Sequence, residues 1–180
     1  AGHGGAKGTG CRWWTDDGGD TYETSGLYPA NEVSFAEVAP NVVYMNGRAG
    51  INPWNPNRTA WTSRNDGTNF SAPYACPLKD DDNHGCSVGL VALPTPGQEN
   101  HTLFLSEPQG PHRVGLRVHC SRDGGSTWPW STLLGGANDR AAYSSMVAIN
   151  HTGSQQGLLV VWESSDEENK QNWKYVTIGT

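Results

Sequence analysis

One eight-residue phrase occurs three times in the chain and constrains its fold more than any other feature. The fullest copy is Ser121-Arg122-Asp123-Gly124-Gly125-Ser126-Thr127-Trp128. Weaker copies read Thr15-Asp16-Asp17-Gly18-Gly19-Asp20-Thr21-Tyr22 and Ser63-Arg64-Asn65-Asp66-Gly67-Thr68-Asn69-Phe70. The starts at 15, 63 and 121 lie 48 and 58 residues apart. Each copy has the chemistry of a tight turn between two strands: glycines that accept positive φ, an Asp or Asn that bonds nearby backbone N–H groups, and an aromatic that packs inward. A repeat of about 40–60 residues with one such turn per unit predicts the small antiparallel sheets of a β-propeller, which bury their faces only against one another.

Composition agrees with an ordered all-β chain, since 23 Gly and 11 Pro supply turns and 8 Trp supply core area. Strands are predicted over Cys11–Trp14, Val33–Val38, Val42–Asn46, Ala60–Ser63, Val88–Leu93, Thr102–Ser106, Val114–Ser121, Ser144–Ile149, Leu158–Trp162 and Trp173–Ile178. Three phrases mark about three blades, whereas propellers close with about 4–8, so residues 1–180 read as the C-terminal half of a larger ring with no separate domain. The expected partner is the N-terminal half of the same propeller, or a companion chain. No apolar run of about 18 residues is present, so no transmembrane span is expected. The opening residues also lack the basic-then-apolar order of a signal peptide, and the chain is read as starting after any targeting segment. A net charge of −6 with scattered Arg and Lys excludes the basic stripe that nucleic-acid binding requires.

Four Asn-x-Ser/Thr sequons, at Asn57, Asn69, Asn100 and Asn150, favour passage through the secretory pathway and a lysosomal or extracellular setting. Among the four cysteines, Cys76 and Cys86 bracket a polar loop that a disulfide could staple. Cys11 and Cys120 could pair with each other, pair elsewhere or stay as thiols. Cysteine and histidine spacing offers no zinc pattern.

The phrase Ser-x-Asp-x-Gly-x-Thr-Trp matches the Asp box of sialidases and several other propellers, where it lies on the rim away from the active site. Further segments, in order, resemble the exo-α-sialidases, especially their vertebrate lysosomal and cytosolic members. They are His3-Gly4 with Asp16-Asp17-Gly18, Asn31 to Val38 followed by Met45-Asn46-Gly47-Arg48, His112 to Leu116, Ala142-Tyr143-Ser144-Ser145 and Val161-Trp162-Glu163. The resemblance implies an all-β, six-bladed propeller that hydrolyses terminal sialic acids of glycoproteins, glycolipids or oligosaccharides with retention and without cofactor or metal.

It also implies roles for individual residues. Sialic acid carries a carboxylate on its anomeric carbon, so a carboxylate nucleophile would approach against like charge. A neutral tyrosine avoids that repulsion, but its ordinary pKa near 10 calls for a base. Sialidases use Tyr in place of the usual second carboxylate. By resemblance Tyr143 is the nucleophile and Glu32 its base, expected within hydrogen-bond reach of each other. Arg48 and Arg113 match two of three arginines whose planar forks hold the substrate carboxylate. Glu163 matches the carboxylate that orients the third. That arginine and the acid/base aspartate belong to the family's N-terminal half and have no counterpart among these residues.

From the residues alone, Glu37 competes with Glu32, and Arg117 with Arg113. Trp54, Trp61, Trp128, Trp130 and Trp173 are expected to pack rather than to serve as sugar platforms. A sialic-acid-binding lectin or inactive homologue would keep the arginines but need not keep Tyr143 with Glu32. A sorting-receptor propeller has no reason to carry the ordered set. A trans-sialidase would use the same residues.

Overall fold

The structure is a computed structural model that describes residues 2–3, 10–30, 32–48, 57–79, 85–150, 156–165 and 171–179. Among these there is no helix, and hence none long and apolar enough to cross a membrane. The described residues form four antiparallel sheets. The first holds β1 (Gly2–His3), β2 (Gly10–Trp14) and β3 (Glu23–Tyr28). The second runs in order through β4 (Val33–Ala39), β5 (Val42–Gly47), β6 (Asn57–Ser63) and β7 (Tyr74–Lys79). The third contains β8 (Gly89–Leu93), β9 (Thr102–Gly110), β10 (Val114–Ser121) and β11 (Trp130–Leu133). The fourth contains β12 (Ser144–Asn150), β13 (Gln156–Ser165) and β14 (Gln171–Gly179).

The sheets succeed one another as blades. Their first strands β4, β8 and β12 touch in sequence, and apolar cores fill the gaps between sheets. Between the first and second sheets lie Ala30, Val33, Met45 and Trp61, with Tyr28 and Phe70 packed on them. Tyr44, Leu78, Leu103 and Leu105 fill the next gap, and Leu116, Val118, Leu158 and Trp162 the last. No sheet could bury these residues by itself, which is why the architecture repeats.

In the two four-stranded sheets the repeated phrase joins the third strand to the fourth, and in the first sheet it joins β2 to β3. Among the described residues the fourth sheet has three strands and no copy of the phrase, so counting phrases finds three units where there are four sheets. In each turn the opening hydroxyl and the Asp or Asn organise the backbone. Ser121 Oγ donates to Asp123 Oδ1 at 2.8 Å and accepts from Gly125 N at 2.9 Å, while Thr127 N and Oγ1 donate to Asp123 at 2.9 and 2.6 Å. The first copy repeats this set on Thr15, Asp17, Gly19 and Thr21. In the second, Asn65 accepts from Ser63 Oγ and Asn69 N, but Asn69 has no hydroxyl to add the last bond. Burial opposes the Asp123 charge, yet the Thr127 and Ser121 bonds outweigh it and lower its pKa.

The second and third turns also pack on the preceding sheet: Phe70 meets Tyr28 edge-on, and Trp128 packs against Tyr44. Gly125 has φ +89, and an added Cβ would lie 2.4 Å from the Tyr44 ring. Gly125→Ala is therefore expected to cost about 3 kcal/mol, combining backbone strain with overpacking. At Gly97, where φ is +74 and nothing lies within 4 Å, Ala brings the strain alone. Chemical denaturation of the two variants checks the contrast, and equal losses would show that the Tyr44 contact contributes nothing.

Two expectations are corrected. Cys76 and Cys86 do not form a disulfide: both are buried thiols, and Cys76 turns into the core, where Tyr44 Oη donates to its Sγ at 3.6 Å. Trp130 and Trp173 do not pack inward but stand 53% and 69% exposed, because they lie on strands at the open sides of their sheets. Trp61 and Trp128 do pack, and Trp54 lies outside the described residues.

Candidate functional site

Because strands alternate in direction, the entry to each first strand and the link from second to third strand lie at the end opposite the repeated turns. The proposed site residues all sit there. Glu32 precedes β4, Arg48 follows β5, Arg113 occupies the β9–β10 link, Tyr143 precedes β12, and Glu163 lies late in β13.

The side chains of Glu32, Arg48, Arg113 and Tyr143 converge from three sheets. Arg48 Nη1 donates to Glu32 Oε2 at 3.0 Å and to Tyr143 Oη at 3.4 Å. Arg113 Cζ lies 5.3 Å from the centre of the Tyr143 ring, within cation–π range. The direct hydrogen bond between Glu32 and Tyr143 that the sequence led us to expect is not present among the described residues; the two side chains instead share one guanidinium nitrogen of Arg48. Burial works against the Arg48 charge, but Glu32 first and Tyr143 second outweigh it and raise its pKa.

Arg113 is held in an unusual way. It and His112 both have φ +62, a conformation non-glycine residues rarely take, and strain of this kind clusters at functional positions. Arg113 O accepts from Ala141 N at 2.8 Å, and Arg113 Nη2 donates to Gly85 O at 3.1 Å. Its Nε is buried without an acceptor, so the fork retains hydrogen-bonding capacity for an anion. The rival Arg117 bonds Ser131 Oγ on β11 instead, and Glu37 accepts from Asn41 N at the opposite end of the second sheet. Glu163 reaches Tyr143 through its backbone, with Glu163 N donating to Tyr143 O at 2.9 Å and Ala142 N to Glu163 O at 3.0 Å. Its carboxylate makes no hydrogen bond or ion pair among the described residues.

Below the site lies a buried polar network that the sequence reading missed. Arg58 and Glu107 are fully buried, with Arg58 Nη1 3.8 Å from Glu107 Oε2. Arg58 Nε donates to Asn46 Oδ1 at 2.6 Å and Nη1 to Cys86 O at 3.1 Å. Gln109 Nε2 donates to Glu107 Oε1 at 2.7 Å, and His119 Nε2 lies 3.6 Å from the same oxygen. Burial, then Arg117, pushes His119 down to about 4, so it is neutral at pH 7. The available signal was period-2 placement: Arg58 alternates with buried Ala60, and Glu107 with buried Leu103 and Leu105.

Of the sequons, Asn69 and Asn100 are exposed in loops, while Asn57 is half-buried within β6. Asn150 ends β12. A separate cleft of about 880 Å³ between the third and fourth sheets is lined by Phe104, Val118, Trp130, Leu158 and Ile178. It lacks the converging charges found around Tyr143.

No family model and no curated protein matches the chain. Solved structures do. The NanB sialidase of Streptococcus pneumoniae superposes with a TM-score of 0.76 at 18% identity, over 96% of this chain and 27% of that one. The intramolecular trans-sialidase of Ruminococcus gnavus gives 0.69 at 14%, over 93% and 37%. A Hadza microbial sialidase, Hz136, gives 0.66 at 24%, over 84% and 29%. The chain thus spans between a quarter and two-fifths of these proteins. They are microbial, whereas the sequence resemblance pointed to vertebrate members, and what they share with this chain is the fold: an all-β structure that forms part of a sialidase-type β-propeller.

Proposed function

We propose that the chain is the C-terminal half of the catalytic propeller of an exo-α-sialidase that hydrolyses terminal sialic acids with retention. The observation that carries this reading is the convergence of Arg48 and Arg113, from different sheets, on Tyr143. Two guanidinium forks beside a phenol suit a substrate with a carboxylate next to its reacting carbon.

In this reading the substrate carboxylate takes up hydrogen bonds from Arg48 and Arg113. Arg48 loosens its hold on Glu32, which then accepts the Tyr143 proton. The phenolate oxygen bonds to the anomeric carbon as the glycosidic C–O bond breaks, and the leaving oxygen takes a proton from an acid in the N-terminal half. Water, giving a proton to the conjugate base of that acid, then attacks the anomeric carbon from the face the leaving group vacated; the bond to Tyr143 breaks, and Glu32 returns its proton to the phenolate. Glu163, whose carboxylate has no partner among the described residues, orients the third arginine, also from that half. No metal or cofactor takes part. The exposed Asn69 and Asn100 would carry glycans in a lysosomal or extracellular protein.

A trans-sialidase is the second reading, favoured by the Ruminococcus gnavus neighbour. Proton NMR of α-sialyllactose digested by the full-length protein tests both. Early release of the α-anomer of free sialic acid is expected. An anhydro-sugar product or transfer to an added acceptor would replace hydrolysis by trans-sialidation, and binding without turnover would establish a lectin.

A further inference from the structure

Tyr143 stands at the start of the fourth sheet, while Glu32, Arg48 and Arg113 belong to the second and third, so the alignment of the site depends on how these sheets are joined. A hydroxyl pair lies at the third junction, directly beside Tyr143. Ser106 on β9 and Ser144 on β12 are buried, and their Oγ atoms lie 2.8 Å apart. Ser144 Oγ donates to Ser106 O at 2.9 Å, which leaves the Ser106 proton for Ser144 Oγ. Gly89 N, on β8, lies 3.2 and 3.3 Å from the two hydroxyl oxygens and donates to both. Every proton in the group has an acceptor.

The backbones come close enough for this only because residue 89 is glycine. An added Cβ would lie 2.7 Å from Met146 N, 2.7 Å from Ser106 Oγ and 2.8 Å from Ser145 C. One residue earlier on the same inner segment, Val88 O accepts from Ser34 Oγ of the second sheet at 2.8 Å. Residues 88 and 89 are thus bonded to both neighbouring sheets, just inside the site.

We propose that Ser106 and Ser144 are positioning residues that fix the phenol of Tyr143 relative to Arg48 and Arg113, a role that rests on Tyr143 being the nucleophile. A buried hydroxyl pair could serve stability alone, but its placement next to Tyr143 ties it to the geometry of attack. A displacement of about 1 Å at a reacting group can cost about a hundredfold in rate.

The test measures kcat, KM and thermal midpoint in the full-length protein for Ser106→Ala, Ser144→Ala, the double variant and Ser144→Cys, with Tyr143→Phe as reference. Each alanine variant is expected to lose about ten- to a hundredfold in kcat with KM within about twofold, because the arginine forks that bind the carboxylate are untouched. The double variant should be no worse than the poorer single one, since the hydroxyls act as a unit. Ser144→Cys, which fills the site with a somewhat larger atom and keeps a weak donor, should fall between parent and Ser144→Ala and guards against a merely unfolded alanine variant. Parental kcat in all four, with only a lowered midpoint, would overturn the positioning role while leaving the nucleophile in place. If Tyr143→Phe also turns over sialoside normally, the nucleophile assignment and the positioning role fall together.

Discussion

Tyr143→Phe in the full-length protein is expected to reduce turnover of a fluorogenic sialoside by at least about a thousandfold while leaving stability nearly unchanged. The substitution removes one oxygen. Among the described residues that oxygen accepts one hydrogen bond, from Arg48 Nη1 at 3.4 Å, and Arg48 keeps its shorter bond to Glu32 at 3.0 Å. The ring stays to face Arg113, and the backbone of residue 143 remains paired with Glu163. Loss of one long, half-buried hydrogen bond costs about 1 kcal/mol at most. The two readouts therefore separate, which they would not do for an ordinary packing tyrosine. Turnover near the parental rate would remove Tyr143 from the mechanism, and a large fall in the thermal midpoint would return it to a structural role.

The sequence made the interior strands legible and left the outer ones hidden. All ten expected strands are present, because first, second and third strands alternate apolar residues toward a neighbouring sheet. Missed were β1 and the three strands that follow the repeated turns. Glu23 and Thr24 on β3 and Trp130 to Thr132 on β11 are exposed, and Tyr74–Lys79 contains Pro77, which an edge strand tolerates. Such strands exist because a third strand offers its edge, and that is tertiary information. The site divides in the same way. Arg48, Arg113 and Tyr143 could be named from short motifs, but that Arg48 stands between Glu32 and Tyr143 depends on how three sheets meet. Nothing local in His112-Arg113 announces two successive left-handed residues, since that conformation is imposed by the bonds Ala141 and Gly85 make to Arg113.

The largest stability effect is expected from Arg58→Met. Arg58 and Glu107 have no exposed surface, so Met would take from the buried Glu107 carboxylate the guanidinium that lies 3.8 Å away, a change that costs about 3–5 kcal/mol. Removing both charges, in Arg58→Met/Glu107→Leu, should restore much of the loss, since the penalty lies in a buried charge that has lost Arg58 rather than in missing volume. The pH dependence provides a second readout. In the parent, His119 titrates at about 4, below the ordinary value of 6.5. The unfolded chain therefore takes up this proton first as the pH falls, and His119 subtracts stability progressively from about pH 6.5 down to about pH 4. With Arg58 gone, Glu107 faces His119 at 3.6 Å with less opposing positive charge nearby, and the His119 pKa should rise. The single variant should then lose less of its remaining stability on acidification than the parent does. Denaturant titrations at pH 7 and pH 5 measure both effects. A single variant within about 1 kcal/mol of the parent at pH 7, with the parent's pH slope, would show that the buried pair holds neither the second and third sheets together nor the His119 proton off.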